Sequence, residues 1–291
     1  MKKLHKLAIV PIVALTVAAA SSCGSNSAAD AVGDIQDAAL LDYANAQITL
    51  PLDAFGMTVH EERLVIFARV IALNECLVEQ EIAEYTPVSH ESFHAVMDRP
   101  LLPDWRYAHW NADLVAQHGI LGQQGAEPPE DFSVTISSVG NDRAHILDEC
   151  ADNVGFEPIA RSQVHDESFF LASGFWQSLD AARGDSLWRD TAGEWDQCVQ
   201  ESGFQVSPND EFGVDIGEAH WESEEALLAF VAAAQCSDSL GTISTLANLE
   251  AQFQADFIAE NFATLNEIHV RGQEIVAEAR DFLTERGFPV G

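Results

Sequence analysis

The chain is almost without lysine. Of its 291 residues, only Lys2, Lys3 and Lys6 are lysines, all within the first six positions. Beyond them, 11 arginines face 47 acidic residues. A body without lysine has no P-loop lysine, no Schiff-base lysine and no pyridoxal-phosphate site. Its surplus of negative charge repels nucleic acid and anionic lipid. The sequence also lacks G-x-S-x-G, G-x-G-x-x-G, an EF-hand loop and any Cys-x-x-Cys pair. The last absence argues against a redox motif or a zinc ribbon. No alternating run is long enough for a real sheet.

What is present is a globular composition, 47% hydrophobic and 21% charged. The length suffices for one large or two small domains with a sizeable core.

The N-terminus joins a basic hexamer, Met1 to Lys6, to an apolar run from Leu7 to Ala20, then to Ser21-Ser22-Cys23. These are the basic, apolar and small-residue regions of an export signal. The run is short for a bilayer span, and Pro11 lies inside it. Small residues directly before Cys23, with Gly24-Ser25-Asn26-Ser27 after it, resemble a bacterial lipobox. That resemblance implies a diacylglyceryl group on Cys23, which becomes the first mature residue. Ala20 stands where leucine is more usual, and Ser22 where glycine or alanine is. A plain cleaved signal is the competing reading. Each buried methylene contributes about 0.8 kcal/mol, so two or three acyl chains hold a protein durably. The Ser-, Ala-, Asp- and Asn-rich stretch from Gly24 to about Ala46 reads as a tether, with a short helix near Asp34 to Tyr43.

With Cys23 lipidated, Cys76, Cys150, Cys198 and Cys236 remain. An even number in an exported chain points to two disulfides, and four cysteines allow three connectivities. The sequential pairing, Cys76 with Cys150 and Cys198 with Cys236, is the one expected. Each would remove about 4 kcal/mol of chain entropy from the unfolded state.

Helical periodicity dominates the rest. Helices are expected at Glu61 to Ala83, from Ser89 to before Pro100, at Trp105 to Gln117, at Arg143 to Asn153, at Glu167 to Ala182, at Leu187 to Ser202 and at Glu222 to Gln235. A final helix from Ser244 to Glu285 would be roughly 60 Å long. Loops are expected at Gly122 to Asn141 and at 205 to 219. Cys150-x4-Gly155-Phe156, Cys198-x4-Gly203-Phe204 and Gly287-Phe288 share a helix-stop pattern: a left-handed glycine, then an apolar residue packed back on the last turn.

Several motifs occur in a fixed order. Pro51-Leu52-Asp53 precedes a cysteine-bearing helix. Arg106-Tyr107 and Gln117-His118-Gly119 follow. Trp195-x2-Cys198-x4-Gly203-Phe204 comes next, and Ala233-Ala234-Gln235-Cys236 leads into the terminal helix. From Pro51 to the C-terminus the chain resembles a group of extracytoplasmic lipoproteins of actinobacteria. The resemblance implies a lipid anchor, a mostly helical body and two bridges among four cysteines. It carries no catalytic residue. Glu81 and Ala108 stand where that group commonly has glycine.

His90-Glu91-Ser92-Phe93-His94 is an H-E-x-x-H sequence. Four residues apart on a helix, His90 and His94 share a face and could hold Zn²⁺, with Glu91 as the base. The stretch lies between Pro87 and Pro100, and Met97 and Pro100 occupy the places of the metzincin glycine and third histidine. Asp104 or Asp113 would have to supply a third ligand. Asn209, Asp210, Glu211 and Asp215 form an acidic loop, read as a solvated face rather than a cation site. Trp105, Tyr107 and Trp110 read as core rather than a ligand patch.

The expected fold is therefore mainly α: an irregular helical bundle with a long C-terminal helix, two disulfides and at most a minor β element. Residues 1–22 are a lipoprotein signal peptide, 23–50 a flexible tether, 51–140 an N-terminal helical part and 141–291 a C-terminal helical part. The expected function is a non-catalytic interaction or binding protein of the cell envelope, anchored at the outer face of the membrane. Its partner would be an envelope protein, a peptide or a cationic ligand, not nucleic acid, and no cofactor is expected. The alternative is a zinc-dependent metallohydrolase built on His90, Glu91 and His94.

Overall fold

The computed structural model describes residues 37–80, 88–119, 145–146, 149–150, 161–217, 220–221 and 223–290. The signal peptide, Cys23, the loop at 122–141 and most of the helix expected at 143–153 lie outside them.

Strands β1 (Leu40–Asp42) and β2 (Gln47–Thr49) pair antiparallel, with Leu41 opposite Ile48. This corrects the helix expected near Asp34 to Tyr43 over its described part, residues 37–43. The Asp42 carboxylate accepts from the Ala44 backbone N–H at 3.0 Å and from Asn45 Nδ2 at 2.7 Å. Such local bonds offer the chain a turn in place of a helix. It also shortens the tether expected through residue 50. Ala46, Ile48 and Leu50 are buried in the main core, so the hairpin belongs to the body.

A 3-10 helix (Pro51–Phe55) leads to α1 (Val59–Glu79). Thr58 and Glu61 form a capping box: the Thr58 hydroxyl accepts from the Glu61 N–H, and the Glu61 carboxylate from the Thr58 N–H at 2.8 Å. Helix α2 (His90–Met97) is capped by Ser89, as expected. Helix α3 is only Ala112–His118, not Trp105 to Gln117. Asn111 is left-handed (φ 56°) and caps Leu114, while the Asp238 carboxylate takes the Asn111 and Ala112 N–H groups. Those bonds fix the helix start at residue 112. The preceding residues turn instead around Asp104, whose carbonyl accepts from Trp110 Nε1 at 2.8 Å.

Helices α4 (Arg161–Gly184) and α5 (Ser186–Glu201) follow, then a small hairpin of β3 (Gln205–Val206) and β4 (Val214–Asp215) inside the expected second loop. Helices α6 (Glu224–Leu240) and α7 (Thr242–Glu285) close the chain. With 44 residues, α7 is about 66 Å long and forms the spine. Its first turns meet the β1–β2 hairpin, α5 and α6 in the main core. Its middle packs on the 3-10 helix and α4. Its last third packs on α1 and α2 through Phe67, Ile71, Phe93, Ile275 and Leu283. Residues of the parts expected at 51–140 and 141–291 meet in each of these three cores. The α4–α7 crossing is close: a Cβ on Gly174 would stand 2.6 Å from the Phe257 ring.

The fold is mainly α with minor β elements and a long terminal helix, as expected. Cys76 bonds Cys150, and Cys198 bonds Cys236, with Cα separations of 5.7 and 5.8 Å. That is the sequential pairing. The stop pattern holds at two of its three places. Gly203 and Gly287 have positive φ, and the N–H groups of Phe204 and Phe288 return to Val199 and Leu283. The third, Gly155-Phe156, lies outside the described residues. Among the described residues no single helix is long and apolar enough to cross a membrane. Helices α6 and α7 reach the required length and composition only together, bent by 64°.

Candidate functional site

The strongest concentration of buried charge lies where the 3-10 helix, the 104–107 turn and α7 meet. Glu250 is 2% exposed. Its Oε2 accepts from the Tyr107 hydroxyl at 2.7 Å and its Oε1 from Gln254 Nε2 at 2.8 Å. Gln254 Oε1 accepts from the Leu52 N–H at 2.9 Å. Asp53 accepts from the Leu50 N–H at 2.6 Å. Arg106 reaches the Asp104 carboxylate at 2.6 Å, and the Asp104 N–H donates to Ala46 at 2.7 Å. Two segments far apart in sequence, 46–53 and 104–107, are thereby tied to each other and to one face of α7.

Burial sets the protonation here. It pushes the Glu250 carboxyl up, against the opposing Tyr107 hydrogen bond and the Arg106 charge. It pushes Asp53 up as well, against the Leu50 N–H and Arg106. It raises Tyr107 strongly, with Glu250 adding to the effect, so the phenol stays a donor. Each polar atom faces a fixed partner, and the arrangement positions backbone segments. Asp53, Arg106 and Tyr107 are the residues of the Pro51-Leu52-Asp53 and Arg106-Tyr107 motifs, so those motifs meet in space. Glu250 and Gln254 were not singled out from sequence. Their signal was available: with Leu246 and Ile258 they recur every four residues along the apolar stripe of α7.

The aromatic residues behave as core. Trp110 is fully buried and Tyr107 nearly so, while Trp105 is half-buried. The Trp195 ring donates to Ser237 Oγ at 3.0 Å, three residues before the Cys198 bridge. The acidic loop is held internally. Glu211 accepts from Trp188 Nε1 at 2.8 Å and stands 3.5 Å from Arg183, and Asp215 accepts from the Gly217 N–H.

His90, Glu91 and His94 are exposed on α2. The His90 ring leans on Phe288 at 5.3 Å, and His94 Nδ1 stands 3.6 Å from Asp98. Asp104, one proposed third ligand, is committed to Arg106. Asp113 lies on α3, whose packing partner is α6 rather than α2. Among the described residues no three His, Cys, Asp or Glu side chains form a metal group. The purified protein is expected to carry far less than stoichiometric zinc after dialysis, and Glu91→Gln to leave any phenotype unchanged. Metal analysis together with that variant checks this. Retained stoichiometric zinc with a peptidase activity lost in Glu91→Gln would instead make it a metallohydrolase.

His109 is the one histidine shifted far by burial, among the described residues. Its ring lies between Trp105 at 5.2 Å and Phe230 at 4.8 Å, and burial pushes it down to about 4 from its ordinary 6.5. Above both values the folded and unfolded chains hold it equally neutral. Between them the unfolded chain takes up the proton, so stability falls as pH drops from 6.5 towards 4. His109→Phe should reduce the loss of unfolding free energy between about pH 7 and 4.5 by roughly 2 kcal/mol. Urea titrations of both proteins at the two pH values measure it. Parallel pH profiles would defeat it.

No family model, curated protein or solved structure matches the chain.

Proposed function

We propose that the protein is a lipid-anchored, extracytoplasmic member of the actinobacterial lipoprotein group it resembles, acting without catalysis as an interaction or binding protein of the cell envelope. The observation that carries this reading is the bridged body. All four cysteines after Cys23 are consumed in two disulfides, which persist in oxidising compartments. Cys23, behind an export signal, is then the single unpaired cysteine and the one in lipobox context. The buried charges support a scaffold rather than a reaction centre, because Glu250, Asp53 and Arg106 are spent on backbone and side-chain positioning. A negatively charged surface suits a cationic peptide or protein partner in the envelope.

Fractionation tests the reading. Wild type should sediment with membranes and enter the detergent phase. Cys23→Ala should be released or remain unprocessed. Wild-type protein found wholly in the medium, with a free thiol at Cys23, would overturn it.

A further inference from the structure

We propose that residues 205–216 form a strap whose Phe212 ring plugs an aromatic slot between Trp188 and Trp195, and that an aromatic side chain of a partner segment, next to a lysine or arginine, enters the slot by displacing it. The inference rests on the interaction-protein reading and gives that partner a place and a chemistry. Within the strap only Phe212 is buried, at 5% exposure, while Val206, Val214 and Ile216 are half-buried. The Phe212 ring meets Trp188 at 6.0 Å and Trp195 at 5.6 Å, each edge-on. Both walls are held by contacts outside the strap. Trp195 Nε1 donates to Ser237 Oγ, and Trp188 meets Tyr107 edge-on at 5.7 Å. The slot therefore keeps its walls when the ring leaves.

The strap is built to move as one piece. Its backbone bonds close on itself: β3 pairs with β4, the Ser207 N–H donates to the Gly213 carbonyl at 2.7 Å, and the Gly213 N–H to the Asp210 carbonyl at 3.0 Å. Left-handed glycines flank it, Gly203 with φ 90° and Gly217 with φ 59°. A Cβ at either would meet nothing within 4 Å, so backbone conformation and not crowding calls for glycine there. Phe212 is itself left-handed, with φ 57°. A bulky residue holds that conformation at a cost, and only where its surroundings impose it. Leaving the slot returns that strain. The latch at the tip is the exposed Glu211, which accepts from Trp188 Nε1 at 2.8 Å and stands 3.5 Å from Arg183.

The chain's own side chains show what the slot takes. A phenyl ring fills it, and the Arg183 guanidinium lies over the Trp188 ring at 5.8 Å, beside Glu211. An aromatic side chain with a cation next to it reproduces both contacts. Charge selects such a segment over a second copy of this chain. The strap carries Asp210, Glu211 and Asp215 and no cation, and no lysine or arginine occurs from position 190 to 270. Asp196 on α5 is pushed up by burial and by the Glu211 charge, so carboxylates gather at the rim. Two copies of such a face repel each other, and a cationic segment is drawn to it.

The test titrates the full chain, in nonionic detergent, with a dye-labelled peptide Gly-Lys-Phe-Lys-Gly and reads fluorescence anisotropy. Peptides with alanine for phenylalanine, and with glutamate for lysine, are the controls. A slot that is open about a tenth of the time lowers the apparent affinity roughly tenfold. Phe212→Ala should therefore bind the peptide roughly tenfold more tightly than wild type, with no gain for either control. Adding Trp188→Ala should cancel the gain. Circular dichroism and disulfide mapping confirm that the variants fold. In wild type, saturating peptide should speed amide hydrogen exchange at 205–216 by about threefold or more while α5 and α6 keep their rates. That readout needs no variant. Equal affinities in wild type and folded Phe212→Ala would overturn the slot, and so would strap exchange that bound peptide slows or leaves unchanged. Either result places the peptide on the outer surface and leaves the interaction reading standing. A folded Phe212→Ala that binds no peptide would overturn the partner chemistry. The underlying reading fails by a different result, release of wild type into the medium, so the two failures are distinguishable.

Discussion

Glu250→Ala is expected to lower the unfolding free energy by about 3 kcal/mol, whereas Glu250→Gln should change it by about 1 kcal/mol or less. Glu250 is nearly inaccessible and accepts from Tyr107 and Gln254. Alanine strands both donors, each at a cost of roughly 1–3 kcal/mol, and leaves a cavity. Relief of the carboxylate's own desolvation offsets part of that loss. Glutamine keeps the shape and leaves no cavity: its carbonyl takes the Gln254 amide and its amide donates to the Tyr107 oxygen, so one donor, the Tyr107 O–H, is stranded where alanine strands two, while the carboxylate's desolvation is relieved. The two variants also differ with pH. The Glu250 carboxyl is held up in the fold, so its contribution is fullest below the unfolded value and is lost as pH rises through the folded one. Glu250→Gln should remove that slope. Denaturant titrations across the acid range measure both effects. Equal losses in the two variants would show that the network does not hold the segments.

Much of the architecture was legible in the residues. The long terminal helix was readable because Leu246, Leu249, Phe253 and Phe257 recur at helical spacing, and its end because Gly287 and Phe288 form a stop pattern that needs nothing distant. Local chemistry was also sufficient at Ser89, which caps α2 where expected. Reading failed where long-range contacts decide. The start of α3 is set by Asp238, 127 residues away from Asn111, and no local pattern contains that residue. The hairpin at 40–49 reads as tether because it follows the Ser-, Ala-, Asp- and Asn-rich stretch that begins at Gly24. Ala46 and Ile48 within it, and Leu50 just after it, are buried by residues far away in sequence, on the 104–110 turn, α5 and α7. The candidate site divides the same way. Asp53, Arg106 and Tyr107 stood out as motif residues, yet their meeting point depends on Glu250 and Gln254, whose polarity is visible in sequence and whose partners are not.

Removing either disulfide as a Cys→Ala pair is expected to cost about 4 kcal/mol, the larger effect on total stability. The Cys198–Cys236 bridge closes a separation of 38 residues and Cys76–Cys150 one of 74. Loop entropy grows only with the logarithm of length, so the second exceeds the first by about 0.6 kcal/mol. Against a typical total of about 5–15 kcal/mol, either loss is a large fraction. Their surroundings separate them further. Cys236 lies in the main core beside Trp195, and the Trp195–Ser237 bond remains to hold α5 on α6 after the sulfurs are gone. Cys76, by contrast, lies in the last turn of α1, where the bridge ties Cys150 to that helix end. Cys76→Ala with Cys150→Ala should therefore show the larger drop and expose the end of α1 to proteolysis first. Cys198→Ala with Cys236→Ala should lower the midpoint while leaving the protease pattern of the folded state unchanged. Urea titrations and limited proteolysis of the two double variants distinguish these outcomes. Non-reducing peptide maps of the wild type should show the two sequential links, and a Cys76–Cys198 link would refute the pairing on which the comparison rests.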